Sequence, residues 1–330
     1  ADDERISSLE SRLAQLERDF AVMRASAKNQ AFVFLKPHAV TDSVKELVAK
    51  GLEKAGITVS SSGTLTHDVI DSKGLIDTHY GAIASKAAVL KPAEQNVSDK
   101  AKAQFKDMFG MTWEEAVEAG KIFNAKDACE QLKVSGQELD SMWATLNRGE
   151  NLLKLGGGHY VGKVNDDTYV INGFYSAMRD KYCSEPAQIY YMVVEWDPKS
   201  LSWEDFRGKV LGATDPKEAE EGSLRRQIFE QWKDLGLSAE PDVGDNSVHA
   251  SASPFEAFCE RVNWTGAKSA EDLFGRAALQ LGVPEKTLAE WMADAQVVVD
   301  GKKQSIFDYL EDQNSEENLR RLAKVLSENN

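Results

Sequence analysis

Apolar positions along the chain set out the order of elements. Over residues 2–26, Ile6, Leu9, Leu13, Leu16, Phe20 and Met23 recur at alternating spacings of three and four. That is the a/d pattern of a coiled-coil seam, and it predicts one helix. Glu10, Arg12, Glu17, Arg18 and Asp19 occupy the other faces. The run is shorter than about four heptads, so the helix needs cover for its apolar stripe. A second helix or the body of its own chain could supply it. Residues 31–36 (Ala-Phe-Val-Phe-Leu-Lys) predict a short strand ending at Pro37. A helix follows from Thr41, with Leu47, Val48 and Leu52 on one face and Gly56 as its stop. Residues 57–66 alternate as a strand does, and a helix is expected around 71–80. This β-α-β-α order predicts an α/β or α+β domain.

Residues 86–155 change in character. Ala, Lys, Glu and Gln dominate, with Trp113, Phe123, Leu132 and Trp143 at helical spacings, which predicts a helical insertion. The Gly156-Gly157-Gly158 run breaks it. Segments 159–164 and 168–171 flank Asn165-Asp166-Asp167 and predict a β-hairpin. Residues 188–195 (Gln-Ile-Tyr-Tyr-Met-Val-Val-Glu) are nearly continuously apolar, as a central strand is. Beyond 265 the pattern is helical. Ser269 and Asp272 read as a capping box, Pro284 starts a second helix, Asp300-Gly301 marks a turn, and a last helix covers about 315–327.

Composition narrows the function classes. The 330 residues are 42% hydrophobic, enough for a packed core. A net charge of −15 argues against nucleic acid as the main partner. It leaves room for a nucleotide, which a few local cations can hold. Cys129, Cys183 and Cys259 are widely spaced, which fits a reducing compartment better than a disulfide framework or a zinc site. No apolar run is long enough to span a membrane. The chain starts at Ala1 with neither Met nor an apolar leader. A removed targeting segment or a trimmed end would both give this, so the cytoplasm and an organelle (chloroplast or mitochondrion) are both compatible.

Candidate chemistry gathers at residues 244–260. His249 stands among Gly, Ser, Ala and Asn, where little bulk blocks its ring, and a helix is expected from Ser253 with Pro254 in its first turn. Glu260 falls about two turns along that helix. A histidine that attacks phosphorus must be neutral and held in one tautomer, which a carboxylate can do. Phosphates need cations, and Lys36 at a strand end, Arg207, Arg225 and Arg226 are the candidates.

These residues fall into a pattern that resembles the nucleoside diphosphate kinase family. Phe34-Leu35-Lys36-Pro37 resembles its first-strand lysine motif, and His79-Tyr80 its His-Tyr. Phe174-Tyr175 through Met178, Leu211-Gly212-Ala213-Thr214-Asp215-Pro216 and Gly222-Ser223-Leu224-Arg225 resemble further landmarks in the family's order. Asn246-Ser247-Val248-His249-Ala250-Ser251 resembles Asn-x-x-His-Gly-Ser, with Glu260 at the family's spacing. The resemblance covers residues 31–80 and 172–264. It implies an α+β, ferredoxin-like βαββαβ domain split into 29–85 and 172–264. Around it lie a coiled-coil helix at 1–28, a helical insertion with a hairpin at 86–171, and a helical extension at 265–330.

The resemblance also implies roles. His249 would carry the phosphoryl group from a nucleoside triphosphate such as ATP to a nucleoside diphosphate, and Glu260 would orient it. Lys36 and Tyr80 would sit by the transferred phosphate. Thr214 and Arg225 would bind nucleotide phosphates, Asn246 the sugar, and Tyr175 and Val243 would sandwich the base. Mg²⁺ would arrive with the nucleotide, and no protein-held metal is expected. The chain departs from the family at three places. His38-Ala39 replaces Asp-Gly, and Ala252 replaces Asp after the Ser. The second phosphate arginine's slot is Gly208, between Arg207 and Lys209. Either neighbour could substitute, and loss of one such contact would cost about 1.5–3 kcal/mol. An insertion near 227–242 alters the loop that the family uses for trimer contacts. The alternative function is a structural subunit of a larger assembly, joined through the N-terminal helix.

Overall fold

The computed structural model describes residues 2–156 and 158–329, the side chains of residues 2–4 excepted. Gly157, the middle of the expected glycine breaker, lies outside the described residues. The chain opens with α1 (Asp2–Ser26), β1 (Asn29–Leu35), α2 (Asp42–Lys54) and β2 (Thr58–Thr66). It continues through α3 (His67–Ser72), α4 (Leu75–His79), α5 (Gly81–Ala84), α6 (Asp99–Phe109), α7 (Trp113–Glu118), β3 (Ile122–Asn124), α8 (Ala125–Leu132) and α9 (Gly136–Ala144). Then come β4 (Leu152–Gly156), β5 (His159–Asn165), β6 (Thr168–Ile171) and α10 (Tyr175–Cys183). The return is β7 (Gln188–Trp196), α11 (Trp203–Asp205), α12 (Leu224–Gln231), β8 (Val248–Ala250) and α13 (Pro254–Thr265). The chain ends with α14 (Leu273–Gln280), α15 (Glu285–Trp291), the hairpin β9 (Gln296–Val299) and β10 (Lys302–Ser305), α16 (Ile306–Leu310) and α17 (Ser315–Glu328).

By backbone contacts the chain divides into two compact units. The first joins residues 1–65 to 188–330, and the second is 66–187.

The first unit is built on a sheet in the order β2-β7-β1-β8. β1 runs antiparallel to both neighbours, pairing Phe34 with Tyr191 on one side and with His249 on the other. Counted within the unit, the order is second, third, first, fourth, with helices after the first and third strands. That is the ferredoxin-like βαββαβ arrangement. Alternation along β1 sends Ala31, Val33 and Leu35 to one face, where Val44, Val48 and Leu52 of α2 and Leu224 and Ile228 of α12 cover them. Thr41 caps α2, its Oγ1 accepting from the Val44 N–H at 3.1 Å. Phe32 and Phe34 point to the opposite face and meet Trp264 of α13. Helix α13 therefore covers the second face of the sheet.

The C-terminal extension shares a core with α13. Phe255 and Phe258 pack with Phe274, Ala277, Leu288, Ile306, Leu319, Leu322 and Val325. Asp272, not Ser269, caps α14, accepting from the N–H groups of Phe274 and Gly275 at 2.9 and 3.0 Å. One carboxylate meets both orphan donors, so the Ser269 capping box is not used.

The second unit is less helical than its composition predicts. It carries its own sheet, β3-β6-β5-β4, with β3 parallel to β6 and the other pairs antiparallel. Strands β3 and β4 are three and five residues long, too short to show a period. The helix expected over 71–80 is split, because Gly74 takes a left-handed φ of 61° between α3 and α4.

Candidate active site

His249 owes its place to β8, the short edge strand beside β1. It lies directly across from Phe34, and the two rings stack at 4.6 Å and 27°. On this face α13 is the covering helix. Ser253 caps it, its Oγ accepting from the Glu256 N–H at 3.1 Å, and Pro254 occupies the first turn. Two turns later the helix delivers Glu260, whose Oε1 lies 2.5 Å from His249 Nε2.

The carboxylate has a second anchor. Ser251 Oγ donates to Glu260 Oε2 at 2.5 Å and accepts from the Phe32 N–H at 3.0 Å. Phe32 N–H, Ser251 hydroxyl, Glu260 carboxylate and His249 imidazole thus form one buried relay. An ionised Glu260 can only accept, so the proton between the pair belongs on His249 Nε2. That tautomer puts the ring's lone pair on Nδ1. Burial first, then the charges of Lys36, Arg225 and Arg207, hold the imidazole well below the usual 6.5. The ring is therefore neutral at pH 7, as a nucleophile must be.

Glu256 lies one turn before Glu260, and its Oε2 accepts from the Ala252 N–H at 2.9 Å. Burial, and then the neighbouring Glu260 charge, push the Glu256 carboxyl up to about 8. Glu256 therefore keeps a proton at neutral pH.

The chain is similar to nucleoside diphosphate kinases of solved structure. The enzyme from Encephalitozoon cuniculi, in its apo cubic form, is 13% identical, with a TM-score of 0.35. The alignment covers 74% of this chain and 92% of that one. The enzyme from Pyrobaculum aerophilum is 16% identical with a TM-score of 0.34, over 74% and 98% of the two chains. A transition-state mimic of the Borrelia burgdorferi enzyme, with vanadate and ADP bound, is 17% identical with a TM-score of 0.34, over 74% and 90%. No family model matches the chain, and no curated protein matches it. What can be said of the site rests on its own geometry.

The other predicted residues of the first unit are arranged unequally. Lys36 leaves the end of β1, and its Nζ donates to the Gly244 carbonyl at 2.9 Å. Arg225 is buried, with its fork turned onto backbone. Nε and Nη2 donate to the Val248 carbonyl at 3.0 and 2.8 Å, and Nη1 to the Gly212 carbonyl at 2.9 Å. Burial, then the Arg207 charge, bring its guanidinium down to about 10. Arg207 sits in the π-helical segment Phe206–Leu211, a form enriched at functional sites. Its Nη1 is held by Glu311 and Asp312, at 2.7 and 2.6 Å. Thr214 is exposed, on a loop entered through Gly212, which has φ 96° and where a Cβ would meet Ser223 Oγ at 2.5 Å. Val243 is exposed too. Asn246 is buried. Its Nδ2 donates to the Thr214 carbonyl at 3.1 Å, while its Oδ1 has no hydrogen-bond partner in the protein. Ser247, between Asn246 and β8, is held at φ 70°, a costly conformation for serine.

Tyr80 and Tyr175 belong to the second unit. Tyr80 meets His79 edge-on at 4.8 Å. Tyr175 is buried, and its hydroxyl donates to Asp77 at 2.7 Å. Asp77 also accepts from Arg179 Nε, at 3.0 Å.

Ser251 and Glu256 are the site residues that sequence reasoning gave no role. The signal for Ser251 was present: it lies two positions beyond His249, so an extended chain points both to the same side.

Proposed function

We propose that the first unit is a phosphoryl-transfer site, a nucleoside diphosphate kinase centre with His249 as its nucleophile. The observation that carries this reading is the 2.5 Å contact of His249 Nε2 with Glu260, itself anchored by Ser251. Nδ1 attacks the γ-phosphorus of a nucleoside triphosphate. The N–P bond forms as the bond to the β–γ bridging oxygen breaks, and the nucleoside diphosphate leaves with that electron pair. Positive charge grows on the ring during transfer, and the Glu260 carboxylate stabilises it. A second nucleoside diphosphate then takes the phosphoryl group by the reverse path.

Lys36 supports the reading as the cation nearest the end of β1, able to trade its Gly244 carbonyl for phosphate oxygen. The buried, unpartnered Asn246 Oδ1 supports a ligand hydroxyl beside it. Thr214 and Arg225 are assigned to the phosphates, with Arg207 as the second arginine. Val243, exposed on the same unit, is assigned to the base. Mg²⁺ enters as part of the nucleotide substrate.

One observation favours a second reading, a structural subunit without turnover. Arg207 is held by two carboxylates and Arg225 by backbone carbonyls, so the two arginines already have partners. Incubation with γ-labelled ATP and Mg²⁺ separates the readings. The first expects acid-labile, base-stable label on the wild type that chases to GDP, and none on His249→Ala. A folded wild type that takes no label supports the structural subunit.

A further inference from the structure

Helix α1 does not use its heptad seam to dock on its own unit. Ala21 and Ala25 are buried against the body, Ala25 within the core that includes α14 and α17. Ile6, Leu9, Leu13, Leu16, Phe20 and Met23 are 53–66% exposed. Six large apolar side chains thus form a continuous uncovered stripe along a helix about 37 Å long.

The charges beside the stripe identify what covers it. With Ile6, Leu13 and Phe20 as a positions and Leu9, Leu16 and Met23 as d, the g positions are Arg5, Arg12 and Asp19. The e positions are Glu10, Glu17 and Arg24. In a parallel two-stranded coil each g residue faces the e residue five places later on the other helix. A second copy in register then sets Arg5 against Glu10, Arg12 against Glu17 and Asp19 against Arg24. Every pair is opposite in sign, and the two-fold axis repeats each one. Antiparallel pairing of the same seam sets e against e along one flank, where Glu10 meets Glu17 twice. The pattern therefore complements itself in one orientation only.

We propose that α1 forms a parallel, in-register coiled-coil dimer with a second copy of this chain. The seam is solvent-exposed and carries no part of the chain's own core, so variants there leave the fold intact. Sedimentation of the full chain over a range of concentrations expects a dimer for the wild type and a monomer for Leu13→Glu/Leu16→Glu. Glu17→Arg alone sets two arginines against each other across the seam, and Arg12→Glu alone sets two glutamates there. Each should raise the dimer dissociation constant at least about tenfold, and mixing the two should restore pairing as a heterodimer. Glu17→Arg would strengthen an antiparallel dimer, because it removes the Glu10–Glu17 repulsion. A wild-type monomer at all concentrations, a dimer indifferent to Leu13→Glu/Leu16→Glu, or a dimer tightened by Glu17→Arg would each overturn the proposal.

Discussion

Two neighbouring residues of α13 anchor two different side-chain pairs. Glu260 reaches His249, and Arg261 reaches Asp272. The first pair is partly buried and the second fully buried, and they are built differently. Arg261 meets Asp272 through Nε at 2.7 Å and Nη2 at 3.0 Å, and its Nη1 donates to the Gln30 carbonyl at 3.1 Å. Asp272 also caps α14. The pair is bidentate and symmetrical in purpose, joining β1, α13 and the C-terminal extension. In the other pair one ring nitrogen is committed to the carboxylate, and the second carries the lone pair. The His249 side chain is also more open, at 19% exposure against 4% for Arg261. In the Arg261 pair all three guanidinium nitrogens are engaged. In the His249 pair the carboxylate holds one ring nitrogen and so fixes the tautomer.

The sharpest way to break this comparison is to remove one member of the structural pair. Asp272→Ala leaves Arg261 buried and unpaired and removes the cap of α14. It should cost about 3–5 kcal/mol of stability, read as a lower midpoint in urea. Replacing both partners by apolar residues, Arg261→Met with Asp272→Leu, should recover much of that loss, because no charge is then stranded. Glu260→Gln is the matching change at the His249 pair. It should lower the rate of His249 labelling by about 10–100-fold, the usual scale for losing a group that orients a ring. Equal loss of stability in the two variants would remove the distinction between the pairs.

The sequence carried parts of this picture and concealed others. The apolar, aromatic-rich run at 31–36 located β1, since such a run closed by a proline is a strand signal. His249 and Glu260 were legible as a pair through their spacing, because a strand, a capped turn and two helical turns have fixed lengths. The second sheet was not legible: β3 has three residues, and its pairing with β6 is set by contacts distant in sequence. The cap of α14 was misassigned by three residues, since Ser269 and Asp272 both satisfy the local pattern and only packing decides between them. Periodicity found the apolar stripe of α1 as readily as that of α17. It could not say that Leu319, Leu322 and Val325 would be covered within the chain while Leu9, Leu13 and Leu16 would not. The carboxylates on Arg207 were hidden for the same reason, lying over a hundred residues away.

That last contact supplies a smaller prediction. Glu311 and Asp312 neutralise Arg207, so Glu311→Gln with Asp312→Asn should free it for nucleotide phosphate. ADP should bind roughly tenfold tighter, the value of one charge-assisted hydrogen bond. Calorimetric titration of the variant and wild type measures this. Unchanged affinity would place Arg207 with the structural residues, beside Arg261.

The smallest effects lie in pH. His249 is held well below 6.5, so it stays neutral as pH falls from 8 through 6.5. The labelling rate should therefore be flat across that range instead of halving near 6.5. Glu256 works in the opposite sense. Its folded-state carboxyl titrates near 8, against 4.5 as the ordinary value, so between these the folded chain binds more protons than the unfolded one. Its contribution to stability is complete below 4.5 and is lost as pH rises through 8. Glu256→Gln keeps an oxygen for the Ala252 N–H and cannot ionise. The variant should match the wild type at about pH 4.5 and exceed it by about 1–3 kcal/mol near pH 9, measured by urea unfolding at each pH. If both curves run parallel, Glu256 is ionised in the fold. The single negative charge that the His249 relay requires would then have to be kept in some other way.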